Sequence, residues 1–218
     1  MHEKFTALTP DLHAYMVERG ARQDEVLRRV ERETEAMGDV AVMQIAADQG
    51  ALITLLVRAL GVRYAVEVGT FTGYSAICMA RGLVPGGRLL CCELSEDYAR
   101  TALENLAEAG LADSVDMRVG SALDTLRSLP REESVDFAFV DADKPAYGDY
   151  YEELLARMRP GGVIMLDNVL LGGRVLDPPE DDDSAQAMAQ LNDSLAGDER
   201  VDVAMIGVAD GVTLVRKR

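Results

Sequence analysis

The sequence predicts an α/β fold built on a mostly parallel sheet, and two observations carry that prediction. From Tyr64 onward, short apolar runs rich in β-branched and aromatic residues alternate with stretches of helical length. Regular alternation of this kind indicates a parallel sheet with helices on both of its faces. The chain then ends in two short apolar runs around Ala209-Asp210-Gly211, which indicates a β-hairpin and at least one antiparallel strand.

Apolar runs bounded by turn residues give seven predicted strands. They lie at residues 64–68, 88–93, 114–119, 135–140, 162–166, 201–206 and 212–215. Helices are predicted between them at residues 73–82, 96–109, 122–128, 147–158 and 184–195. The acidic, proline-containing run at residues 177–183 is predicted to be a solvated loop rather than a metal site.

The N-terminal part is predicted to be helical, because apolar residues recur there at helical spacing. In the first forty residues they are Leu12, Tyr15, Met16, Val26, Leu27 and Val30. A further helix is predicted over residues 43–60, with Ile45, Leu52, Leu55 and Leu56 on its apolar face. We therefore expect a single domain over residues 1–218, in which N-terminal helices at 1–60 precede a core at 61–218.

Composition limits the partners and the compartment. The net charge of −16 repels phosphate backbones, so nucleic acid is disfavoured as the main partner. The sequence has no uncharged apolar run of about 18–20 residues and no basic-then-apolar leader at its start, so we expect a cytoplasmic protein without a membrane partner. The three cysteines, Cys78, Cys91 and Cys92, lack zinc-ligand spacing and are expected to be small buried thiols.

Acidic and amide side chains follow two of the predicted strands. Asp141 and Asp143 come directly after the fourth strand with Lys144 beside them, and Asp167-Asn168 follows the fifth strand. If these strands are parallel neighbours, Asp141, Asp167 and Asn168 meet at one edge of the sheet. Two carboxylates and an amide oxygen form a hard-oxygen site suited to Mg²⁺ or a similar cation. Because the chain has only three lysines, a lysine beside these acids is unlikely to be there by chance.

A glycine turn follows the first strand and opens a helix. Gly69 allows a sharp turn and a close approach of the backbone to a ligand, whereas Thr70 and Phe71 stand where a dinucleotide-binding loop needs a second glycine. Glu93 ends the second strand, where a carboxylate accepts both hydroxyls of a ribose. A ribose-binding acid without a diphosphate loop indicates a nucleoside ligand, such as S-adenosylmethionine. Glu67 is expected near the methionine ammonium of that ligand.

With these motifs in order, the sequence resembles the cation-dependent small-molecule O-methyltransferases, which include the catechol and caffeoyl-CoA enzymes and their bacterial relatives. The matching segments are residues 67–75, Glu93, Gly120-Ser121-Ala122, residues 141–144 and Asp167-Asn168. The resemblance covers nearly the whole chain. It implies a Rossmann-like class I methyltransferase fold, a mostly parallel seven-stranded sheet with a C-terminal antiparallel hairpin and extra N-terminal helices. It also implies a homodimer.

The resemblance also implies roles for individual residues. The metal ligands would be Asp141, Asp167 and Asn168, and Lys144 matches the catalytic lysine. The residues implied at the cofactor are Ile45, Glu67, Gly69, Thr70, Ser75, Glu93, Ala122 and Asp141. Mg²⁺ is the expected cation, with Mn²⁺ and Ca²⁺ as alternatives, because hard-oxygen ligands select weakly among them.

The implied reaction is an SN2-type O-methylation of a chelating hydroxyl pair, with Lys144 as general base. The acceptor stays open. Plant caffeoyl-CoA enzymes have an asparagine shortly after the metal pair, which residues 169–173 lack, and the catechol enzyme has an aromatic residue where this chain has Asp143. A catechol-like molecule, a carrier-bound hydroxyacid and a tRNA hydroxyuridine remain candidates.

Three other interpretations of these motifs are possible from the sequence. Asp141 and Asp167-Asn168 are also compatible with helix caps and turns, with Lys144 in a surface ion pair. A phosphate-accepting regulatory domain also joins acidic strand ends to a lysine, but it has no use for Glu67 and Gly69. A nicotinamide dehydrogenase is disfavoured by the glycine loop.

Overall fold

The computed structural model describes residues 6–218, and its centre is a seven-stranded sheet. The strands are β1 Tyr64–Val68, β2 Arg88–Glu93, β3 Val115–Val119, β4 Val135–Val140, β5 Met158–Asp167, β6 Val201–Ile206 and β7 Val212–Lys217. Their order is β3-β2-β1-β4-β5-β7-β6, with β1 to β5 parallel and β7 antiparallel to both of its neighbours. The predicted fold class, a mostly parallel seven-stranded sheet with a C-terminal antiparallel hairpin, is confirmed.

Helices cover both faces of this sheet. They are α1 Pro10–Gly20, α2 Glu25–Glu35, α3 Ala47–Leu60, α4 Tyr74–Ala80, α5 Glu96–Glu108, α6 Ala122–Ser128, α7 Tyr147–Leu155 and α8 Asp183–Ala196. Alternate strand residues serve the two faces: Val66 and Ala138 pack with α6–α8, whereas Ala65 and Phe137 pack with α2–α5. A strand buried on both sides in this way has an apolar run rather than an alternating pattern.

The predicted helix over residues 43–60 begins later, at Ala47. Gln44 and Ala46 are extended, with ψ angles of 133° and 156°, and they follow a 3-10 segment at Gly38–Met43. The apolar face also differs from the prediction. Ile53 and Val57 are fully buried, whereas Leu55 is 65% exposed and Ile45 precedes the helix.

The predicted helix over residues 147–158 ends at Leu155, and Met158 begins β5 instead. Met158 pairs with Val135 of β4, and the register between these strands shifts before Phe137. The local pattern did not indicate a strand start at Met158 for two reasons. Its partner Val135 is distant in the sequence, and the strand contains Pro160-Gly161, residues that disfavour a strand interior.

One segment, Gly38–Leu60, is long and apolar enough to cross a membrane by length and composition, with a mean hydropathy of 1.7. Asp39, Asp48 and Arg58 interrupt the segment, so it contains no uncharged apolar run of membrane-spanning length. The segment is not one continuous helix: the extended residues before Ala47 divide it, and α3 packs against α1 and α4. The expected absence of a membrane partner stays a prediction.

The N-terminal helices pack unequally. In α2, Leu27 and Val30 are buried, as their spacing indicates. In α1 no residue is buried, and Tyr15 is 58% exposed. Residues 1–5, on which the expected absence of a leader depends, lie outside the described part of the chain.

The strand order explains where a ligand site forms. The chain leaves β1 towards β2 on one side, and β4 lies on the other side of β1. At such a reversal of strand order the connections diverge and leave a crevice beyond the carboxyl ends of the strands. The glycine turn follows β1, Glu93 ends β2, Asp141 follows β4 and Asp167 ends β5.

Candidate active site

A cavity of about 1010 Å³ opens at the carboxyl ends of β1, β2 and β4. Of the residues implied at the site, ten line it: Ile45, Gly69, Thr70, Ser75, Glu93, Ala122, Asp141, Lys144, Asp167 and Asn168. Glu67 does not line the cavity, because its side chain is fully buried beneath the turn. The structure therefore brings together residues that are up to 123 positions apart in the sequence.

The turn after β1 approaches the end of β4 very closely. The Asp141 amide donates to the Val68 carbonyl at 2.8 Å, and the Gly69 amide donates to the Cys92 carbonyl at 3.0 Å. Gly69 has a φ of +86°, and a Cβ there would overlap the carbonyl oxygen of Asp141. Glycine is thus required both by the left-handed backbone and by the contact.

Glu67 is a buried carboxylate without an ionic partner in the described residues. Burial raises its pKa to about 7, and the nearby hydroxyls of Ser75 and Thr70 offset part of this rise. Two buried atoms, Glu67 Oε1 and Thr70 Oγ1, nevertheless have no hydrogen-bond partner within residues 6–218. Buried polar atoms are normally satisfied, so this pair indicates a place where a polar or cationic ligand group belongs.

Glu93 holds the glycine turn in place. Its Oε2 accepts hydrogen bonds from the amides of Thr70, at 3.0 Å, and Phe71, at 2.7 Å. Its Oε1 accepts from the amide of Ser95 at 2.9 Å. An ionised carboxylate has about four acceptor sites, so Glu93 keeps some capacity for a ligand hydroxyl while it positions the turn.

Asp141 and Asp167 bring two carboxylates to adjacent strand ends. Removal from water raises the pKa of both, and the neighbouring Asp141 charge raises the pKa of Asp167 further. Lys144 Nζ, 3.2 Å from Asp141 Oδ1, is the one basic group among the described residues that line the cavity. The pair is therefore short of positive charge.

Asn168 completes the set with an amide oxygen. Its backbone has a φ of +54°, and its backbone N–H donates a hydrogen bond to Asp167 Oδ1 at 2.7 Å. Within residues 6–218 no cluster of three or more His, Cys, Asp or Glu side chains forms a metal site. The set here has only two carboxylates, and its third member is an asparagine. Its oxygens are hard ligands with little positive charge around them, so they fit a divalent cation such as Mg²⁺.

Lys144 points into the same corner of the cavity. Besides its contact with Asp141, its ammonium donates to the Tyr147 hydroxyl at 2.7 Å and lies 4.6 Å from the centre of that ring. Its side chain is 13% exposed. The lysine is thus held beside the acidic pair and retains access to the cavity.

Comparison with known proteins decides the family. Residues 17–218 match a family model described as O-methyltransferase. The chain belongs to the O-methyltransferase family. It is 38% identical over 180 residues to a probable caffeoyl-CoA O-methyltransferase 1 of Dictyostelium discoideum, a match that covers 81% of this chain and 78% of that protein. It is 37% identical over 208 residues to tricin synthase 1 of Oryza sativa subsp. japonica, covering 85% and 82% of the two chains.

Solved structures of O-methyltransferases share the fold. The enzyme TomG from Streptomyces achromogenes, which is involved in tomaymycin synthesis and was solved in complex with SAM, has a TM-score of 0.87 at 36% identity, covering 95% of this chain and 96% of that one. An O-methyltransferase from Bacillus cereus in complex with SAH has a TM-score of 0.87 at 33% identity, covering 95% and 97%. The expected family and enzyme class are confirmed, so the regulatory-domain and dehydrogenase interpretations no longer apply.

Several residues of this O-methyltransferase site were missed by the sequence analysis. Gln49 of α3 is 1% exposed, lines the cavity beside Asp167 and has an Nε2 without a hydrogen-bond partner in the described chain. A glutamine within an apolar helix was a usable signal. Tyr98 and Tyr150 also line the cavity, but nothing in their spacing sets them apart from core aromatics.

Proposed function

We propose that this O-methyltransferase transfers the methyl group of S-adenosylmethionine to a hydroxyl of a small catechol-like acceptor, with a divalent cation as cofactor. One observation carries the proposal. The cavity is lined by an acidic pair short of positive charge and by a lysine beside that pair. The buried Glu67 carboxylate lies next to the cavity-lining residues Thr70 and Ser75, and its Oε1 has no hydrogen-bond partner in the described residues. The SAM and SAH complexes of the TomG and Bacillus cereus enzymes support the same cofactor here.

The cofactor end is proposed at the turn after β1. Glu67 Oε1 and Thr70 Oγ1 are free to bind the methionine ammonium, which is a hydrogen-bond donor and a cation. Glu93 would accept from the ribose hydroxyls. Around them, the same cavity wall includes Ile45, Gly69, Ser75 and Ala122. When bound, S-adenosylmethionine supplies a methyl group on a sulfonium, which is already electrophilic.

The cation would be held by Asp141, Asp167 and Asn168. When bound, it would supply positive charge that lowers the pKa of an acceptor hydroxyl near the acidic pair. Mg²⁺ is the first choice, with Mn²⁺ and Ca²⁺ as alternatives. The raised pKa values of both carboxylates support this assignment, because burial, and for Asp167 also the Asp141 charge, disfavours their ionised forms and a bound cation would offset that cost.

Lys144 is proposed as the general base: in its neutral amine form, Nζ takes the acceptor proton and becomes the ammonium. Its contacts with Asp141 and Tyr147 fix the nitrogen at the edge of the acidic pair. The rest of the rate enhancement would come from alignment, since a nucleophile held in line with a methyl group gains roughly 7–11 kcal/mol from proximity.

The acceptor class follows from the chelating arrangement, which suits two neighbouring oxygens. A carrier-bound hydroxyacid is the second candidate, because the Dictyostelium relative is described as a probable caffeoyl-CoA enzyme. A tRNA hydroxyuridine is disfavoured by the net charge of −16.

The deciding experiment is methyl transfer from S-adenosylmethionine to a panel of catechols and carrier-bound hydroxyacids, with and without EDTA. We expect turnover of a catechol that EDTA abolishes and Mg²⁺ restores. A matched Asp167→Asn variant should lose the response to Mg²⁺, whereas Asp193→Asn, on the exposed side of α8, should keep it. Turnover that is indifferent to EDTA would overturn the metal-dependent mechanism.

The proposal extends to organisation. We propose that residues 1–218 act as one catalytic domain, that the enzyme is a homodimer and that it works in the cytoplasm without a membrane partner. Leu8 and Tyr15 are 50% and 58% exposed near the N-terminus, and apolar residues of this kind suit contact with a second copy. Light scattering coupled to size-exclusion chromatography tests the dimer.

A further inference from the structure

The turn between β6 and β7 is bonded to the loop that follows Asp167-Asn168. The carbonyl of Gly211 accepts a hydrogen bond from Val169, and the carbonyl of Asp210 accepts one from Leu170, both at 3.1 Å. The Asp210 carboxylate adds a third bond, because its Oδ1 accepts from the Gly172 amide at 2.7 Å. The loop therefore depends on a turn that lies about forty residues away in the sequence.

The bonded loop has a strained backbone. Asn168 and Leu171 have φ angles of +54° and +45°, and Gly172 and Gly173 follow at +63° and +89°. A left-handed conformation is strained for a non-glycine residue such as Leu171, whereas asparagine tolerates it better. Such residues persist only where the surroundings hold them, and they concentrate at functional sites.

The turn fits closely against the loop. Gly211 has a φ of +83°, and a Cβ there would overlap the Leu170 side chain. The turn is also continuous with the sheet, since Val212 pairs with Asp167 in the antiparallel register of β7 and β5. The contact between turn and loop is thus packed and hydrogen-bonded, and it adjoins the part of the cavity next to Asp167 and Asn168, where the acceptor is proposed to bind. Asp210 also lines the cavity.

We infer that Asp210 is a positioning residue: its hydrogen bond to Gly172 holds the loop in the conformation that aims Asn168 at the cation and shapes the acceptor mouth. This inference rests on the proposed function, in which Asn168 is the third ligand. Asp210 acts through the acceptor oxygen of its side chain rather than through its charge. Mutation of a residue that orients a metal ligand without touching the metal typically lowers metal affinity by about 10- to 100-fold.

The test compares Asp210→Ala, which removes the acceptor, with Asp210→Asn, which keeps an acceptor oxygen and removes the charge. Mn²⁺ binding to the otherwise metal-free protein is measured by electron paramagnetic resonance, and SAH binding by calorimetry. We expect Asp210→Ala to weaken Mn²⁺ binding about tenfold and Asp210→Asn to stay near the wild type. SAH affinity should stay within about twofold in both, because the cofactor end lies beyond the loop. Asp193→Ala, which removes an exposed acid from α8, is the matched control.

Steady-state kinetics give a second readout. The acceptor KM should rise about tenfold in Asp210→Ala, with a smaller change in kcat and none in the cofactor KM. If Asp210→Ala does not fold, amide hydrogen exchange of the wild type decides, since the Gly172 amide should be protected.

Three results would overturn the inference: Mn²⁺ affinity in Asp210→Ala equal to that of the wild type, equal losses in the alanine and asparagine variants, or an unprotected Gly172 amide. A wild type that binds no Mn²⁺ instead overturns the metal part of the proposed function. The acceptor KM and the Gly172 exchange then decide the role of Asp210.

Discussion

The Lys144 ammonium donates a hydrogen bond to the Tyr147 hydroxyl, and the two atoms lie 2.7 Å apart. The same hydroxyl lies 3.1 Å from the carbonyl oxygens of Val140 and Asp167, so it donates to one of these strand ends. Tyr147 is fully buried. One phenol therefore fixes the lysine relative to both strands that carry the acidic pair.

Tyr147→Phe should lower kcat about tenfold and leave SAH affinity unchanged. The lysine loses a charge-assisted hydrogen bond of roughly 1.5–3 kcal/mol, only part of which affects the transition state. Tyr151→Phe is the matched control, because it removes a hydroxyl bound to Asp198 at 2.7 Å on the same helix. Equal kcat values for the two variants would contradict the positioning role of Tyr147.

Lys144→Ala should lower kcat by about 10²- to 10⁴-fold, the usual contribution of a general base. Lys144→Arg is the sharper variant, because arginine keeps the positive charge but is not deprotonated in proteins. If the lysine acts as a base, both variants should be slow in single-turnover methyl transfer. A Lys144→Ala enzyme that stays active with an unchanged pH–rate profile would contradict the assignment, and a fast arginine variant would point to a purely electrostatic role.

The acidic pair makes a prediction about stability. Asp167 has a raised pKa from burial and from the Asp141 charge, so its ionised form destabilises the metal-free fold above that pKa. In EDTA at pH 8, Asp167→Asn should therefore unfold at a higher temperature than the wild type. A gain of about 1–2 kcal/mol corresponds to roughly 2–8 °C for a chain of this size. With Mg²⁺ the order should reverse, since the wild type gains binding energy that the variant lacks.

Glu67 gives a pH dependence of stability. Burial raises its pKa from the ordinary value of 4.5 to about 7 in the folded state. The stability that protonated Glu67 contributes is fully present below the pKa of the unfolded state. It is lost as the pH rises through the pKa of the folded state. Between about pH 5 and 8, the wild type should lose up to roughly 3 kcal/mol of unfolding free energy relative to Glu67→Gln. Urea unfolding of both proteins across that range measures the difference.

The same group links pH to cofactor binding. If the cofactor ammonium binds at Glu67 Oε1, binding favours the ionised carboxylate and releases a proton below about pH 7. Below about pH 7, SAH affinity should then fall by up to about tenfold for each unit by which the pH is lowered. Calorimetry in buffers of different ionisation enthalpy should detect the proton released on binding. Glu67→Gln should bind SAH more weakly with a flat profile. A wild-type affinity that does not change with pH would separate Glu67 from the ammonium.

Much of the fold could be predicted from the sequence, because its signals are local. The strand at residues 64–68 and the helix at 122–128 keep their predicted bounds. An apolar run defines the strand, and Ser121 caps the start of the helix. The start of β5 at Met158 could not be predicted in this way. It is set by pairing with Val135, a contact between residues that local periodicity does not connect.

The candidate site shows the same division. Asp141 and Asp167 could be brought together from the sequence, because the carboxyl ends of neighbouring parallel strands share an edge. The hydrogen bonds of Tyr147 and Asp210 could not, since they depend on how α7 and the β6–β7 turn pack against that edge. Residue type and spacing indicate what touches a ligand more readily than what holds those residues in place.

Gly69 is required for two reasons that can be tested separately: its left-handed backbone and its close approach to Asp141. Gly69→Ala would place a methyl group into the Asp141 carbonyl, in addition to the strain of a φ of +86°. Gly86→Ala is the matched control, because Gly86 has a φ of +77° but open space around its Cβ position. The control should lose about 1–2 kcal/mol of unfolding free energy from backbone strain alone. Gly69→Ala should lose clearly more and also lose SAH and Mn²⁺ binding together, because the displaced Asp141 backbone lies between both. Equal losses in the two variants would mean that the turn after β1 can relax away from β4, and that the close approach does not couple the cofactor end of the cavity to the acidic pair.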